Sequence, residues 1–362
     1  MRARLTTTLL FAVSAVCAQK PAASEKAPVE GQGPVIRTTV NYVVVPVTVT
    51  DKKSKFVNGL EGKDFKLFDN NKSQDIRLDV SYVPVSLVVA IQANSSVEVV
   101  LPKIKPLGPL LENLVIGESG EAAILAFDHR VRLLQDFTSD GRLFTRALQG
   151  LQPGSTTAAM IDAVFDATRL LRRRPTNHRR ILLLISEAMD KGSEGRLREA
   201  LLEAQVHNII IYSININRAV TSLTERPQPP RWDHLPPGAR PIPSYAPQTP
   251  TVQAQVSGVQ GQSLNFTPLF IEIFRQVKGI FIPNPLEVFT RYTGGREYSF
   301  LKTETLQRVV SDLGEELHSQ YILSYTPNNI EEGGWHDIRV EVSRFNMTIR
   351  TRPGYWMASV PQ

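Results

Sequence analysis

The chain has 362 residues, 42% of them hydrophobic and 21% charged, a balance that suits folded domains and excludes a largely disordered protein. Its formal charge is +6, falling by two to +4 once Arg2 and Arg4 leave with the leader, and no basic helix with interleaved aromatics accompanies it. Nucleic acid is therefore not an expected partner. Cys17, the only cysteine, lies in the leader, which excludes a thiolate nucleophile, a cysteine metal site and a disulfide framework from the mature chain.

Residues 1–18 read as an export signal: Arg2 and Arg4, then the apolar LTTTLLFAVSAVCA, with cleavage after Ala18. That apolar run, about 14 residues, falls short of the ~20 a membrane helix needs. Val16 stands where a lipoprotein signal has a smaller residue. No later stretch is long and apolar enough to span a bilayer. The mature protein is thus expected outside the cytoplasm, in the periplasm or the medium, without a transmembrane segment. Residues 19–34 are small, polar and Pro-rich, as in a flexible leader.

Residues 35–83 alternate in the manner of antiparallel strands. VIRTTVNYVVVPVTVTD predicts one or two of them, and KDFKLFDNNKSQDIRLDVSYV predicts strands on either side of Asn70 and Asn71. At Val85 the texture changes. SLVVAI is a continuous apolar run, the mark of a strand covered on both faces. Residues 97–114 are helical in part, broken by Pro102, Pro106 and Pro109. EAAILAF and VRLLQDF follow as strands, AAMIDAVFDATRLL as a helix, RRILLLIS as a strand, EGRLREALLEAQVHN as a helix and IIIYSINI as a strand. Such alternation predicts an α/β fold with a doubly wound, mostly parallel sheet and right-handed crossovers. Residues 221–261 hold PQPPRWDHLPPGARPIP and read as a Pro-rich surface insertion. Beyond it come an amphipathic helix with Phe270, Ile273, Phe274 and Val277 on one face, a helix LEVFTRYT stopped by GG, the strand REYSF and a last helix, ETLQRVVSDLGEELHSQ. The alternating pattern then returns in YILSYTP and WHDIRVEVSRFNMTIRTRPGYW. Residues 319–358 are accordingly expected to complete one β-sandwich with residues 35–83, and residues 84–318 to form an α/β domain inserted in it.

These segments resemble a bacterial family of exported proteins related to von Willebrand factor type A, over residues 41–356. The resemblance is carried by VVVPVTVTD, FVNGLEGKDFKLFDNN, PVSLVVAIQANSS, GSTTAAMIDAV, RRILLLISEAMD, YTGGREYSF, LHSQYILSYTPNN and RTRPGYW. It implies a von Willebrand A domain and no known catalysis. It also implies a metal-ion-dependent adhesion site, made of DxSxS after the first strand, a Thr from a second loop and an Asp from a third. A hard divalent cation takes about six oxygen ligands there, with one position open to a partner's carboxylate.

This chain departs from that pattern. Gln92 stands at the Asp position and Asn94 at the first Ser, while Ser96 is retained. Thr156 or Thr157 is the counterpart of the loop Thr, and Glu187 replaces the third-loop Asp. The side chains all bear oxygen, but the anionic count falls from two to one, so affinity for Mg²⁺ or Mn²⁺ is expected to be weak or lost. The plainer reading of Asn94, Ser96 and Thr156 is capping of exposed helix N–H groups.

Other residues invite plainer readings. RRRPTNHRR, residues 172–180, reads as a solvated basic loop near a helix C-terminus rather than an anion site. Asp128, His129 and Glu187 lack a GxSxG elbow, so a hydrolase is not expected. His178, His207 and His234 do not fall at metal-ligand spacing and read as surface residues. The function that remains is a non-enzymatic binding or adhesion module, recognising an unknown protein or cell-envelope partner through the loops at the head of the sheet. The alternative is a structural or assembly component of the envelope with an inert metal site.

Overall fold

The computed structural model describes residues 42–79, 83–113, 119–190, 192–216, 284–300 and 303–357. The leader, the Pro-rich insertion, the helix expected around Phe270 and His234 lie outside them.

The middle of the chain builds one six-stranded sheet from β5 (Val85–Gln92), β6 (Glu121–Phe127), β7 (Val131–Thr138), β8 (Arg179–Ser186), β9 (Ile210–Ile216) and β10 (Glu297–Phe300), in the order β10-β9-β8-β5-β6-β7. Counted from β5 this is 3-2-1-4-5-6 read from the β7 edge, the doubly wound order whose direction reverses beside its first strand. All pairs are parallel except β6 with β7. Only Asp128, His129 and Arg130 separate those two strands. So short a link cannot make a crossover, which requires about a dozen residues, and the chain turns back on itself.

Alternate residues of β5 feed two cores. Leu87, Val89 and Ile91 pack with Ile104, Leu107, Leu111, Phe144 and Leu313, whereas Val88 and Ala90 pack with Met160, Val164, Leu201 and Phe289. The first face is covered by the broken helical stretch α1 (Leu101–Ile104) and α2 (Gly108–Leu111), by α3 (Gly141–Gln149) and by α7 (Thr303–Ser319). The second is covered by α4 (Met160–Leu171), α5 (Leu197–Val206) and α6 (Pro285–Thr293). Asn284 caps α6 by accepting from Leu286 N at 2.9 Å, and Gly294 ends it at a φ of 83°. The neighbouring Gly295 has a second reason to be glycine: a Cβ there would lie 2.0 Å from the carbonyl oxygen of Ile211.

The two ends of the chain form two further four-stranded sheets. β1 (Val43–Thr50), β4 (Arg77–Asp79), β11 (Tyr321–Tyr325) and β13 (Thr348–Arg350) make one, in the order β13-β1-β11-β4. β2 (Phe65–Asp69), β3 (Lys72–Gln74), β12 (Gly334–Val342) and β14 (Gly354–Met357) make the other, in the order β14-β12-β2-β3. Each sheet therefore mixes strands from before and after the α/β part. Val45, Val47, Leu67, Leu323, Ile338 and Val340 share one buried cluster. The β2–β3 turn is made by Asn70 and Asn71, with φ of 48° and 63°, the left-handed pair that matches strand twist. Within this frame Asp69 is fully buried and accepts from His336 Nδ1 at 2.7 Å, Asn329 Nδ2 at 3.1 Å, Tyr325 Oη at 2.7 Å and Tyr355 Oη at 2.8 Å. Burial pushes the pKa of both tyrosine hydroxyls upward, so they stay donors.

Frame and α/β part meet through buried polar groups. Gln205 Nε2 donates to Tyr292 O at 2.8 Å and Gly354 O at 3.2 Å, and Gln320 Nε2 donates to Thr48 Oγ1 at 3.2 Å. Arg350 pairs with the buried Glu316, which also accepts from Tyr298 Oη at 3.1 Å.

The basic stretch 172–180 departs from the solvated loop expected of it. Arg172 and Arg173 are exposed. Arg174, in contrast, pairs with Glu121 and lies 4.6 Å over the Phe137 ring. Arg179 donates to Leu317 O at 2.7 Å, and Arg180 to His207 O at 3.2 Å. His178 is likewise no simple surface residue: it is half-buried, with Nδ1 2.8 Å from Ser86 Oγ. These cations tie the foot of the sheet together, so their charge serves packing.

Candidate functional site at the head of the sheet

β5 and β8 are neighbours, with Ile91 beside Ile185. Both run out at the same end, and there the strand order reverses, because β5 lies between β6 and β8. Loops at such a switch point diverge from one another and leave a crevice at the carboxyl ends of the strands. Backbone hydrogen bonds lash these loops together. Ala93 N donates to Phe127 O at 2.8 Å, Gly154 N to Ala93 O at 2.6 Å, Ser95 N to Ser155 O at 2.8 Å and Ala159 N to Asp128 O at 2.6 Å. Gly154 is required by closeness rather than by dihedral, since a Cβ there would lie 1.9 Å from Asp128 Oδ2.

Four of the six residues singled out in the sequence converge in this crevice. Gln92 Oε1 accepts from Glu187 N at 2.8 Å and from Ser186 Oγ at 2.8 Å. Its Nε2 faces three oxygens, at 2.9 Å from Asn94 Oδ1, 3.2 Å from Glu187 Oε2 and 3.4 Å from Ser96 Oγ. Ser96 Oγ lies 2.9 Å from Asn94 Oδ1 and 2.8 Å from Glu187 Oε2, and shares its one proton between them. Gln92, Asn94 and Glu187 are buried and Ser96 is half-buried.

Thr156 and Thr157 belong to the cluster less directly. Thr156 is exposed and takes part through its main-chain carbonyl, which accepts from Asn94 Nδ2 at 3.2 Å. Thr157 is half-buried, and the hydroxyls of both threonines stand apart from the cluster's hydrogen bonds. The capping alternative is not what Asn94 does. It precedes the short 3-10 turn Ser95–Val97 without a side-chain cap bond, and its amide turns into the cluster.

Two acidic residues that sequence reading missed serve the loops instead. Asp190 Oδ2 accepts from Ile161 N at 2.9 Å, at the start of α4. Asp162 accepts from Glu194 N at 3.0 Å and Gly195 N at 2.8 Å. The signal was an Asp two residues before a glycine in a third loop, legible only once that loop is known to lie over α4. Asp128 is treated in the same way, accepting from Ser155 N at 2.9 Å and Arg130 N at 3.1 Å.

Two chemistries raised by the sequence bear on this donor set, cation binding and acyl transfer. Among the described residues no group of three or more His, Cys, Asp or Glu side chains is placed to hold a metal ion. The head cluster supplies a single carboxylate, Glu187, and a carboxamide N–H points at the oxygens that a cation would share. A hard cation repels that N–H and prefers anionic oxygen, so the set does not fit a resident divalent ion. For acyl transfer, His129 Nδ1 lies 2.9 Å from Ser155 Oγ and 3.2 Å from Asp128 Oδ1. A serine–histidine–acid relay engages opposite ring nitrogens, and here both contacts fall on the same one.

No protein-family model matches the chain, and no curated protein matches it. Among solved structures it is similar to the conserved hypothetical protein BatB from Bacteroides thetaiotaomicron, at 14% identity and a TM-score of 0.38, covering 63% of this chain and 96% of that one. It is also similar to the vWF domain of the type V pili tip protein Mfa5 from Porphyromonas gingivalis, at 21% identity and 0.28, covering 31% and 40%. A third is proximal thread matrix protein 1 from the mussel byssus with a zinc-occupied MIDAS motif, at 10% identity and 0.43, covering 68% and 49%. Likenesses this remote say nothing of ligands or partners. The chain's own sheet order, its one antiparallel edge and the convergence of the loops after β5 and β8 give it a von Willebrand A-type α/β fold.

Proposed function

We propose that the chain is an exported, non-enzymatic binding module whose contact surface is the head of the six-stranded sheet, with an adhesion site that has degenerated to metal independence. The observation that carries this reading is the Gln92 carboxamide, turned with its nitrogen toward Asn94, Ser96 and Glu187 at the switch point. Around it the exposed Thr156, His129 and Met189 offer a surface to a protein or cell-envelope partner. The two terminal sheets, in this reading, are one β-sandwich of residues 35–83 and 319–358 that carries the α/β domain of residues 84–318. No described helix is long and apolar enough to cross a membrane.

The test is capture from an envelope extract by the tagged mature chain, in EDTA and in Mg²⁺, with wild type and with Thr156→Arg, an exposed position whose change spares the core. Equal capture with and without cation, lost in Thr156→Arg, is the expected result. Capture unaffected by Thr156→Arg moves the contact away from the head. Material recovered outside the cytoplasm should begin at or near Gln19, and a cytoplasmic protein that keeps Met1 contradicts the export reading.

A further inference from the structure

We infer that the Gln92 carboxamide performs the task a bridging cation has in a von Willebrand A-type site, that of holding the loops after β5 and β8 together. The inference rests on the metal-independent reading of the cluster above. Its force comes from the fixed orientation of two amides. Glu187 N is a backbone donor, so the Gln92 atom 2.8 Å from it must be the oxygen, and the nitrogen must face the other way. Thr156 O is a backbone acceptor, so the Asn94 atom 3.2 Å from it must be the nitrogen, which leaves Asn94 Oδ1 toward Gln92. Neither amide can be flipped without placing like against like.

The Gln92 nitrogen then carries two protons toward acceptors from two different loops, Asn94 Oδ1 on one and the Glu187 carboxylate on the other. A cation brings such oxygens together by charge, and a carboxamide does so by donating to each. The loops are therefore tied by hydrogen bonds from a side chain of the protein itself. A chelator cannot remove that tie, and a partner's carboxylate finds no metal through which to bind. Buried donors and acceptors left unmatched are costly, so removing the amide while keeping its bulk must be felt by the whole head.

The experiment compares the full mature chain as wild type, Gln92→Leu and Gln92→Asp, by thermal melts in EDTA and in millimolar Mn²⁺, with Mn²⁺ binding read directly by electron paramagnetic resonance. Wild type should melt at the same temperature in both buffers and show no saturable Mn²⁺ binding. Gln92→Leu, which keeps the bulk and loses the donors, should melt lower by about 5 °C whichever buffer is used. Gln92→Asp should melt low in EDTA, recover in Mn²⁺ and bind Mn²⁺ saturably, because a ligand that binds only the native state raises its stability. Saturable Mn²⁺ binding by wild type overturns the inference. So does a Gln92→Leu protein as stable as wild type, or a Gln92→Asp protein indifferent to Mn²⁺. If Gln92→Asp does not fold, Gln92→Leu and the wild-type titration decide between them. No partner takes part, so failed capture in the preceding experiment leaves these outcomes standing; a Gln92→Leu protein as stable as wild type overturns the inference alone, whereas saturable Mn²⁺ binding by wild type overturns the metal-independent reading with it.

Discussion

Asp128, at the end of β6, illustrates how a buried carboxylate is kept ionised beside the head cluster. Burial acts to raise its pKa, and the N–H groups of Ser155 and Arg130, with His129 and Arg132 nearby, outweigh it, leaving the pKa below the ordinary 3.8. A carboxylate depressed in the folded state stabilises the fold above its unfolded pKa, and that contribution is lost as pH falls from 3.8 through the lower folded value. Melting temperature followed from pH 6 down to 2 should therefore drop more steeply for wild type than for Asp128→Asn across that acid window. Identical slopes would mean that the carboxylate's bonds form equally in the unfolded chain. Gly154→Ala attacks the same arrangement sterically. Its Cβ, 1.9 Å from Asp128 Oδ2, must push the carboxylate off Ser155 N, and the cost in urea unfolding should be about 1–3 kcal/mol.

Among the elements, α6 is the one whose ends are best defined, and its start makes a sharp prediction. Asn284 caps Leu286 N and also donates from Nδ2 to both Glu297 oxygens, at 3.1 and 3.0 Å. Asn284→Ala should cost about 1–2 kcal/mol in denaturant unfolding, against a few tenths for a solvent-facing polar residue of the same helix. That helix was legible in the sequence because its stop, Gly294-Gly295, is local. The sheet's parallel strands were legible too, as uninterrupted apolar runs. By contrast α3 went unread, although Asp140 caps it and Phe144 and Leu148 form its buried stripe. A nine-residue helix leaves room for little more than one such stripe. The roles of Arg174, Arg179 and Arg180 were misread for a different reason: their partners Glu121, Leu317 and His207 lie in other elements. The head cluster was half legible. Residue types and spacing picked out Gln92, Asn94, Ser96 and Glu187, but nothing local says which end of an amide faces inward. A hydrogen bond from Glu187, just past the end of the neighbouring strand β8, decides that.

For the molecule as a whole, the decisive fact is that neither end can form its sheets alone. β1 has β11 and β13 as its neighbours, and β2 has β12 and β3, so three of those four neighbours come from the far end of the chain. Deleting residues 321–362 should leave residues 35–83 without protected amides in hydrogen exchange. A residue 35–83 fragment that folds unaided would refute the split sandwich. The same pairing fixes how the α/β part is mounted. β4 leads into it and β11 leads out, and the two are antiparallel neighbours, with Asp79 beside Ile322. Entry and exit thus lie at one end of a strand pair, where a hairpin would have its loop. Any tension between the α/β part and the terminal sheets opens that pair from Asp79 and Ile322 onward, one hydrogen bond at a time, like a zipper. Strand pairs loaded in this way yield at far lower force than pairs loaded lengthwise, where every bond must break together. Contacts across the junction, those of Arg350 with Glu316, Gln205 with Gly354 and Gln320 with Thr48 among them, therefore bear such tension before the pair does.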